Sequence, residues 1–298
     1  MRPHATDGPR ETVVGKPSAP PWAVAAIFRL SGETYRRAHP VPPAQQRVMR
    51  DIEACRTAQL GGHAEPCPPS GCERYASHAC RNRHCPQCQP FPKVQWGEDR
   101  KAELLPVPSC HLVFPVPHDL NALILAHKRP LLTLLFNAAS QTLVQFGHHN
   151  LGGQVGCTMV LHTWDQTLGA HFHVHCVIAA GALASNGERW IAADPRFLFP
   201  VRALSTVFRG KFCAALAQAG ATGAVLLPEG FAQLRDQLSA HKWVVYARRP
   251  LPALRRSWTM SAAIRIASPS RTTGSSTCVT AASALPTATV VRAIVSRP

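Results

Sequence analysis

The sequence predicts an α+β protein, in which a small cysteine-bearing domain precedes an antiparallel sheet with packed helices. Three observations lead there. Five cysteines (Cys67, Cys72, Cys80, Cys85 and Cys88) crowd into one short stretch of a 298-residue chain. Two strand-like segments, 157–164 and 171–181, follow in quick succession, and the second turns at Asn186-Gly187 into Arg189-Trp-Ile-Ala, a hairpin signal. Segments of helical periodicity, 131–146 and 201–219, alternate with the strands.

The elements follow in order. Residues 1–21 are rich in Pro, Gly and charge and read as a disordered arm. A short helix begins at Trp22, and a second covers about 44–55, where Val48, Ile52 and Cys55 recur at helical spacing. The cysteine cluster completes a domain over 22–105. The core domain, 106–251, opens with the strand His111-Leu-Val-Phe-Pro-Val. Its first long helix has Pro130 at the start and Leu131, Leu134, Leu135, Ala138, Thr142 and Phe146 on one face. After the helix at 201–219, a shorter one near 230–239 and the strand Lys242-Trp-Val-Val-Tyr-Ala247 end the pattern. From Pro252 to Pro298 there are six arginines but no Lys, His, Asp, Glu, Asn or Gln, which marks a basic, low-complexity tail.

Composition narrows the function. A net charge of +16 is the electrostatic signature of a polyanionic partner, because cationic side chains on nucleic acid release condensed counterions. No apolar run reaches the length of a membrane span, and the proline-bearing start, with Asp7 and Glu11 among its charges, does not read as a basic leader. Bunched cysteines without an oxidising compartment point to metal rather than disulfides.

Cys85-Pro-Gln-Cys88 places two thiolates within reach of one tetrahedral Zn²⁺, and Cys67 with Cys72 offers an upstream pair, giving C-x4-C-x12-C-x2-C. Cys80 and His84 are rival ligands. A thiolate-rich site closes its coordination sphere, so this zinc is structural. Arg74, Arg81, Arg83 and Lys93 stand on or beside the ligand loops as candidate phosphate contacts.

In His171-Phe-His-Val-His175-Cys, period two puts His171, His173 and His175 on one strand face. Three imidazoles there are costly to desolvate without a shared partner, which suggests a divalent metal. His162 and Gln166 can supply another ligand, and His111 is a weaker candidate.

Several motifs carry a resemblance: Cys55-Arg-Thr-Ala-Gln-Leu-Gly-Gly-His63, Ser77-His-Ala-Cys-Arg-Asn-Arg-His-Cys-Pro-Gln-Cys-Gln89, Glu103-Leu-Leu-Pro-Val-Pro108, Leu161-His-Thr-Trp164 and His171-Phe-His-Val-His-Cys176. Over roughly 22–251 the chain resembles the rolling-circle HUH transposases with two tyrosines, which bacterial insertion sequences encode and which carry an N-terminal zinc-binding domain. The resemblance implies an HUH-type sheet, with His173 and His175 binding Mg²⁺ or Mn²⁺ against the scissile phosphate. It also implies single-stranded DNA or hairpin ends of the element as partner, and a bacterial, cytoplasmic, nucleoid-associated protein. The implied reaction is attack of a tyrosine hydroxyl on single-stranded DNA, which leaves a 5′-phosphotyrosine and a free 3′-hydroxyl.

Two departures stand out. Ser70 falls where the family's second upstream cysteine is expected. The family's tyrosine segment, Tyr-hydrophobic-Gly-Arg-Tyr-x-His-Arg, is missing after Tyr246, and the genetic code suggests why. Trp258 is TGG and Met260 is ATG, so a one-base shift reads aspartate and then NAT, which can encode tyrosine. With GC-rich codons, 257–266 becomes Leu-Asp-Tyr-Val-Gly-Arg-Tyr-Ser-His. A frameshift between about 248 and 257 accordingly explains both the lost motif and the tail. It leaves a chain that binds DNA and metal but has no catalytic tyrosine in frame. The alternative is a non-enzymatic, zinc-dependent DNA-binding protein or repressor of the element. A histidine-metal hydrolase for small molecules is disfavoured because the histidine strand has no nearby carboxylate.

Overall fold

The structure is a computed structural model that describes residues 23–67, 72–102, 104–167, 169–248, 278–280 and 291–294. The arm expected over 1–21 and most of the tail lie outside these residues. The chain divides into two compact units, residues 1–91 and 92–298.

The first unit opens with helices α1 (Val24–Ala38) and α2 (Pro43–Ala54). Arg36 and Arg37 in the last turn of α1 suit the negative end of its dipole, and His39, before a proline, cannot continue it. Pro43 starts α2, where a missing N–H costs nothing. Gly32 lets the helices approach closely, since a Cβ there would lie 2.8 Å from Glu53 Oε1. Glu53 in turn pairs with Arg36 at 2.9 Å. Strands β1 (Gly62–Cys67) and β2 (Cys72–Ser77) form an antiparallel hairpin. The buried core of this unit is small: Ala25, Ile52, Cys55 and Cys85, flanked by Phe28, Val48, Cys80 and Cys88. Half of these residues are cysteines, so little apolar surface supports the fold without something joining the thiols.

Helix α3 (Pro90–Ala102) leads into the second unit. There follow β3 (Ser109–Pro115), α4 (Asn121–Ala126), α5 (Lys128–Phe146), β4 (Gly153–Gln154), β5 (Cys157–Trp164), β6 (Ala170–Ala179), β7 (Gly181–Ala184) and β8 (Trp190–Ala192). Helices α6 (Val201–Ala221) and α7 (Phe231–Ala240) and strands β9 (Tyr246–Ala247), β10 (Cys278–Thr280) and β11 (Val291–Ile294) complete it. The main sheet has the order β10-β11-β5-β6-β3-β9, antiparallel apart from the β11–β5 pair. A smaller sheet, β4-β7-β8, contains the expected hairpin, whose turn uses Gly187 at φ 75°. No helix among the described residues is long and apolar enough to cross a membrane.

Alternation divides the main sheet into two chemically distinct faces. Leu112 and Phe114, Met159 and Leu161, and Phe172, Val174, Cys176 and Ile178 are buried in the core. Helix α6 supplies Leu204, Phe208, Phe212 and Leu216 at four-residue intervals, one stripe of a helix. Phe208 meets Phe114 edge-on at 5.1 Å, and Trp243 packs on Phe208 and Phe212 at 5.4 and 5.5 Å. The opposite parity carries the histidines.

The expected α+β architecture is present, with differences in extent. The first helix is a full fifteen residues, and the second half of the first unit contains a hairpin where ligand loops were expected. Only Tyr246 and Ala247 of the strand expected over 242–247 pair with β3, because Trp243 and Val245 are buried by packing rather than by sheet hydrogen bonding.

Candidate functional site

In the first unit, the thiols of Cys55, Cys80, Cys85 and Cys88 all lie within 4.8 Å of one another. Cys88 Sγ is 3.5 Å from Cys55 Sγ and 3.7 Å from Cys80 Sγ. A tetrahedral zinc with Zn–S bonds of about 2.3 Å has S···S edges of about 3.8 Å, so the donor set fits that ion. Burial pushes the Cys88 thiol up to about 11 and raises Cys80 further, whereas Cys55 is lowered: burial opposes its thiolate, but the Cys80 N–H and the neighbouring thiols more than offset this. A bound cation would favour the thiolates against burial.

This set differs from the spacing-based one in its first half, since Cys55 and Cys80 stand where Cys67 and Cys72 were expected. Cys67 and Cys72 are register partners at the end of the β1–β2 hairpin, and their side chains are not among those described. Four thiols already complete a tetrahedron. His84 stays outside it, exposed and accepting from Arg83 Nε at 3.3 Å. The signal for Cys55 was a repeated dipeptide, Cys55-Arg56 and Cys80-Arg81. Of the basic candidates, Arg81 and Lys93 are exposed, Arg83 is half-buried with its pKa lowered by desolvation, and the Arg74 side chain lies outside the described ones.

In the second unit the ligand atoms of His162, His173 and His175 lie within 4.8 Å of one another. Register explains the convergence: His162 on β5 is directly opposite His173 on β6, and His175 is two residues along the same face. The connecting turn is pinned by Asp165 Oδ1, which accepts from the Thr167 N–H at 2.8 Å and the Gly169 N–H at 3.0 Å. His111 on β3 reaches the group from the other side, with its Nε2 2.8 Å from His175 Nδ1. His173 Nδ1 contacts the His171 carbonyl at 3.1 Å. These bonds leave Nε2 free on His173 and His175, and His162 Nε2 is buried with no partner among the described residues. Three convergent imidazole nitrogens, one of them orphaned, fit a divalent metal.

Burial, reinforced by neighbouring imidazoles, pulls His162 and His173 down to about 4 and His175 to about 2. All three are therefore neutral at physiological pH, as ligation requires. His171 shares the strand face and its ring lies 4.8 Å from both His118 and His173, but its ligand atom is not among those that converge, and Gln166 sits exposed in the turn. Trp164 lies parallel to His162 at 5.9 Å. Tyr246 is level with Val113 and hence with His175, on the histidine face and two strand spacings, about 10 Å, away.

Comparison with known proteins finds two matching family models. Residues 27–116 match the family model described as a transposase zinc-binding domain, and residues 156–257 match one described as a putative transposase. The chain is 41% identical over 239 residues to the putative transposase y4qJ of Sinorhizobium fredii, covering 76% of this chain and 60% of that one. It is 34% identical over 149 residues to the transposase for insertion sequence element IS801 of Pseudomonas savastanoi pv. phaseolicola, covering 47% of this chain and 36% of that one. It thus spans less than two thirds of either relative. Among solved structures, TrwC complexed with a 27-mer DNA comprising the recognition hairpin and the cleavage site is 19% identical, with a TM-score of 0.29, over 37% of this chain and 44% of that one.

Proposed function

We propose that the chain, which matches a transposase zinc-binding domain and a putative transposase model, belongs to the rolling-circle, two-tyrosine transposase family of insertion sequences and serves DNA transposition. In this reading it supplies the metal- and DNA-binding parts of single-strand cleavage and joining, while the tyrosine that would attack is out of frame. The observation that carries the proposal is the trio His162, His173 and His175, neutral and convergent on one sheet face.

Bound there, Mg²⁺ or Mn²⁺ would act as a Lewis acid on the scissile phosphate's oxygens. The chain's own residues do the rest. His175 engages His111 through Nδ1 and so presents Nε2, and His173 does the same by donating its Nδ1 proton to the His171 carbonyl. The Asp165 turn holds β5 and β6 in register, which fixes the trio before substrate arrives. Cys55, Cys80, Cys85 and Cys88 would hold a structural zinc, with Arg81, Arg83, Arg74 and Lys93 as phosphate contacts beside it. Single-stranded or hairpin DNA from the ends of the element is the proposed substrate.

A second reading, a DNA-binding repressor without cleavage activity, is favoured by the tyrosine inventory. The three tyrosines of the chain are Tyr35, Tyr75 and Tyr246, and none stands in the family's nucleophile segment. The match to the putative transposase family ends at residue 257, within the stretch where the frame is proposed to be lost, which supports the same view.

The test is to incubate the chain and a frame-restored version with 5′-labelled single-stranded oligonucleotides spanning the element's ends, in Mn²⁺. A covalent protein–DNA adduct is expected with the restored chain alone. An adduct with the chain as it stands would overturn the impairment, and none with either would overturn the cleavage function.

A further inference from the structure

Among the described residues, two that are not glycine have a positive φ: Arg56 at 56° and Arg81 at 54°. Each stands one residue past a thiol of the four-cysteine cluster. The backbone there answers to sulfur. The Arg81 N–H donates to Cys88 Sγ, the Asn82 N–H donates to Cys80 Sγ at 3.4 Å, and the Cys80 N–H donates to Cys55 Sγ. The Arg56 N–H donates to the His78 carbonyl at 3.0 Å and ties the two cysteine segments together. These turns would be left-handed whatever side chain they carried.

Glycine meets that demand without steric cost and asparagine at little, whereas arginine is strained by its Cβ. Neither side chain repays the strain within the unit. Both are exposed, and neither makes a hydrogen bond or ion pair among the described residues. Arg36, Arg37 and Arg29 of the same unit are engaged, with Glu53, Glu33 and the Glu53 carbonyl; Arg47 and Arg50 on α2 have no such partner among the described residues, but they stand in a helix without a left-handed backbone. Two strained, unpaired guanidinium groups on one rigid knuckle call for an external anion.

We infer that Arg56 and Arg81 form a phosphate clamp, each guanidinium taking a phosphodiester oxygen pair of the DNA backbone while the thiol cluster sets their separation. The clamp rests on the proposal that the chain binds DNA and adds to it a specific anchor, including a residue outside the sequence-based candidates. It reads backbone, not bases, and so positions the nucleic acid without selecting its sequence.

The experiment uses the full, zinc-loaded chain and the double variant Arg56→Gly/Arg81→Gly. Binding of a labelled 30-nucleotide single strand is followed from 0.1 to 1 M salt. The variant is expected to keep its zinc and to melt no lower than the parent. Its slope of log K against log salt should shrink by about 1.4, a roughly 25-fold loss of affinity at 0.1 M that vanishes near 1 M. If the glycine variant loses zinc, Arg56→Asn/Arg81→Asn, which also accepts a left-handed backbone, should give the same slope change. Arg56→Lys/Arg81→Lys, which keeps charge and strain, should retain the parental slope. A parent that binds DNA with a slope unchanged in the zinc-loaded variants would overturn the clamp alone. A parent that binds no DNA would overturn the DNA-binding function and the clamp with it.

Discussion

Protons and metal should compete at the histidine face in a pH window that the geometry defines. His162 and His173 are pulled to about 4 and His175 to about 2, by burial first and by neighbouring imidazoles second, against 6.5 for a free side chain. The folded pKa lies below the unfolded one, so between pH 6.5 and about 4 the unfolded chain binds protons that the native protein refuses. The metal-free protein is thus most stable above pH 6.5 and weakens as pH falls, by about 1.4 kcal/mol per pH unit for each histidine held neutral. For the trio the slope approaches about 4 kcal/mol per unit near pH 5. The assay is urea unfolding of protein dialysed free of Mg²⁺ and Mn²⁺, at half-unit steps from pH 7 to 4.5, for the parent and for His162→Gln/His173→Gln/His175→Gln. Carboxylates contribute equally to both, so the difference in slope isolates the trio. Parallel curves, or imidazole NMR signals that titrate near 6.5, would refute the burial reasoning.

Two further outcomes follow from the same geometry. Removing the partner of His175 Nδ1 by His111→Ala should weaken Mn²⁺ binding about 10- to 100-fold in calorimetry, since outer-shell partners fix ligand orientation; an unchanged Kd would mean that His175 is held by packing alone. Cys85→Ser should release zinc and abolish the helical signal of α1 and α2 while Trp243 in the second unit stays buried, as read by fluorescence quenching, because the first unit's core cluster has four buried residues among those described and two are cluster cysteines.

The histidine face was legible because strand alternation is local: period two assigns His173 and His175 to one side without knowledge of the neighbours. Alternation fixes a face but not a place along it, which is why His171, two residues before His173, touches His173 and His118 at the margin without bringing its nitrogen into the convergent set. Placing His162 required the β5–β6 register, which a short turn made guessable. Cys55 was harder. It reaches the cluster only because the β1–β2 hairpin returns the chain to its starting point, where Arg56 bonds to His78; spacing rules weigh close pairs and favour Cys67 and Cys72. The strand over 242–247 was overextended for a related reason: alternating apolar residues report burial, and Trp243 and Val245 obtain theirs from α6 and its surroundings rather than from a ladder. The segment expected to hold the tyrosine motif out of frame, 257–266, lies outside the described residues.

The Asp165 turn has an evolutionary side. It joins β5 to β6 so tightly that the three convergent histidines are encoded between residues 162 and 175, as one cassette. Mutations that scramble the message downstream of that cassette spare it. A mobile element accumulating such damage would not pass directly from active to inert. On the proposed function, it would pass through a stage in which its product still binds DNA and no longer cuts it, so that a decaying copy would compete with its intact siblings.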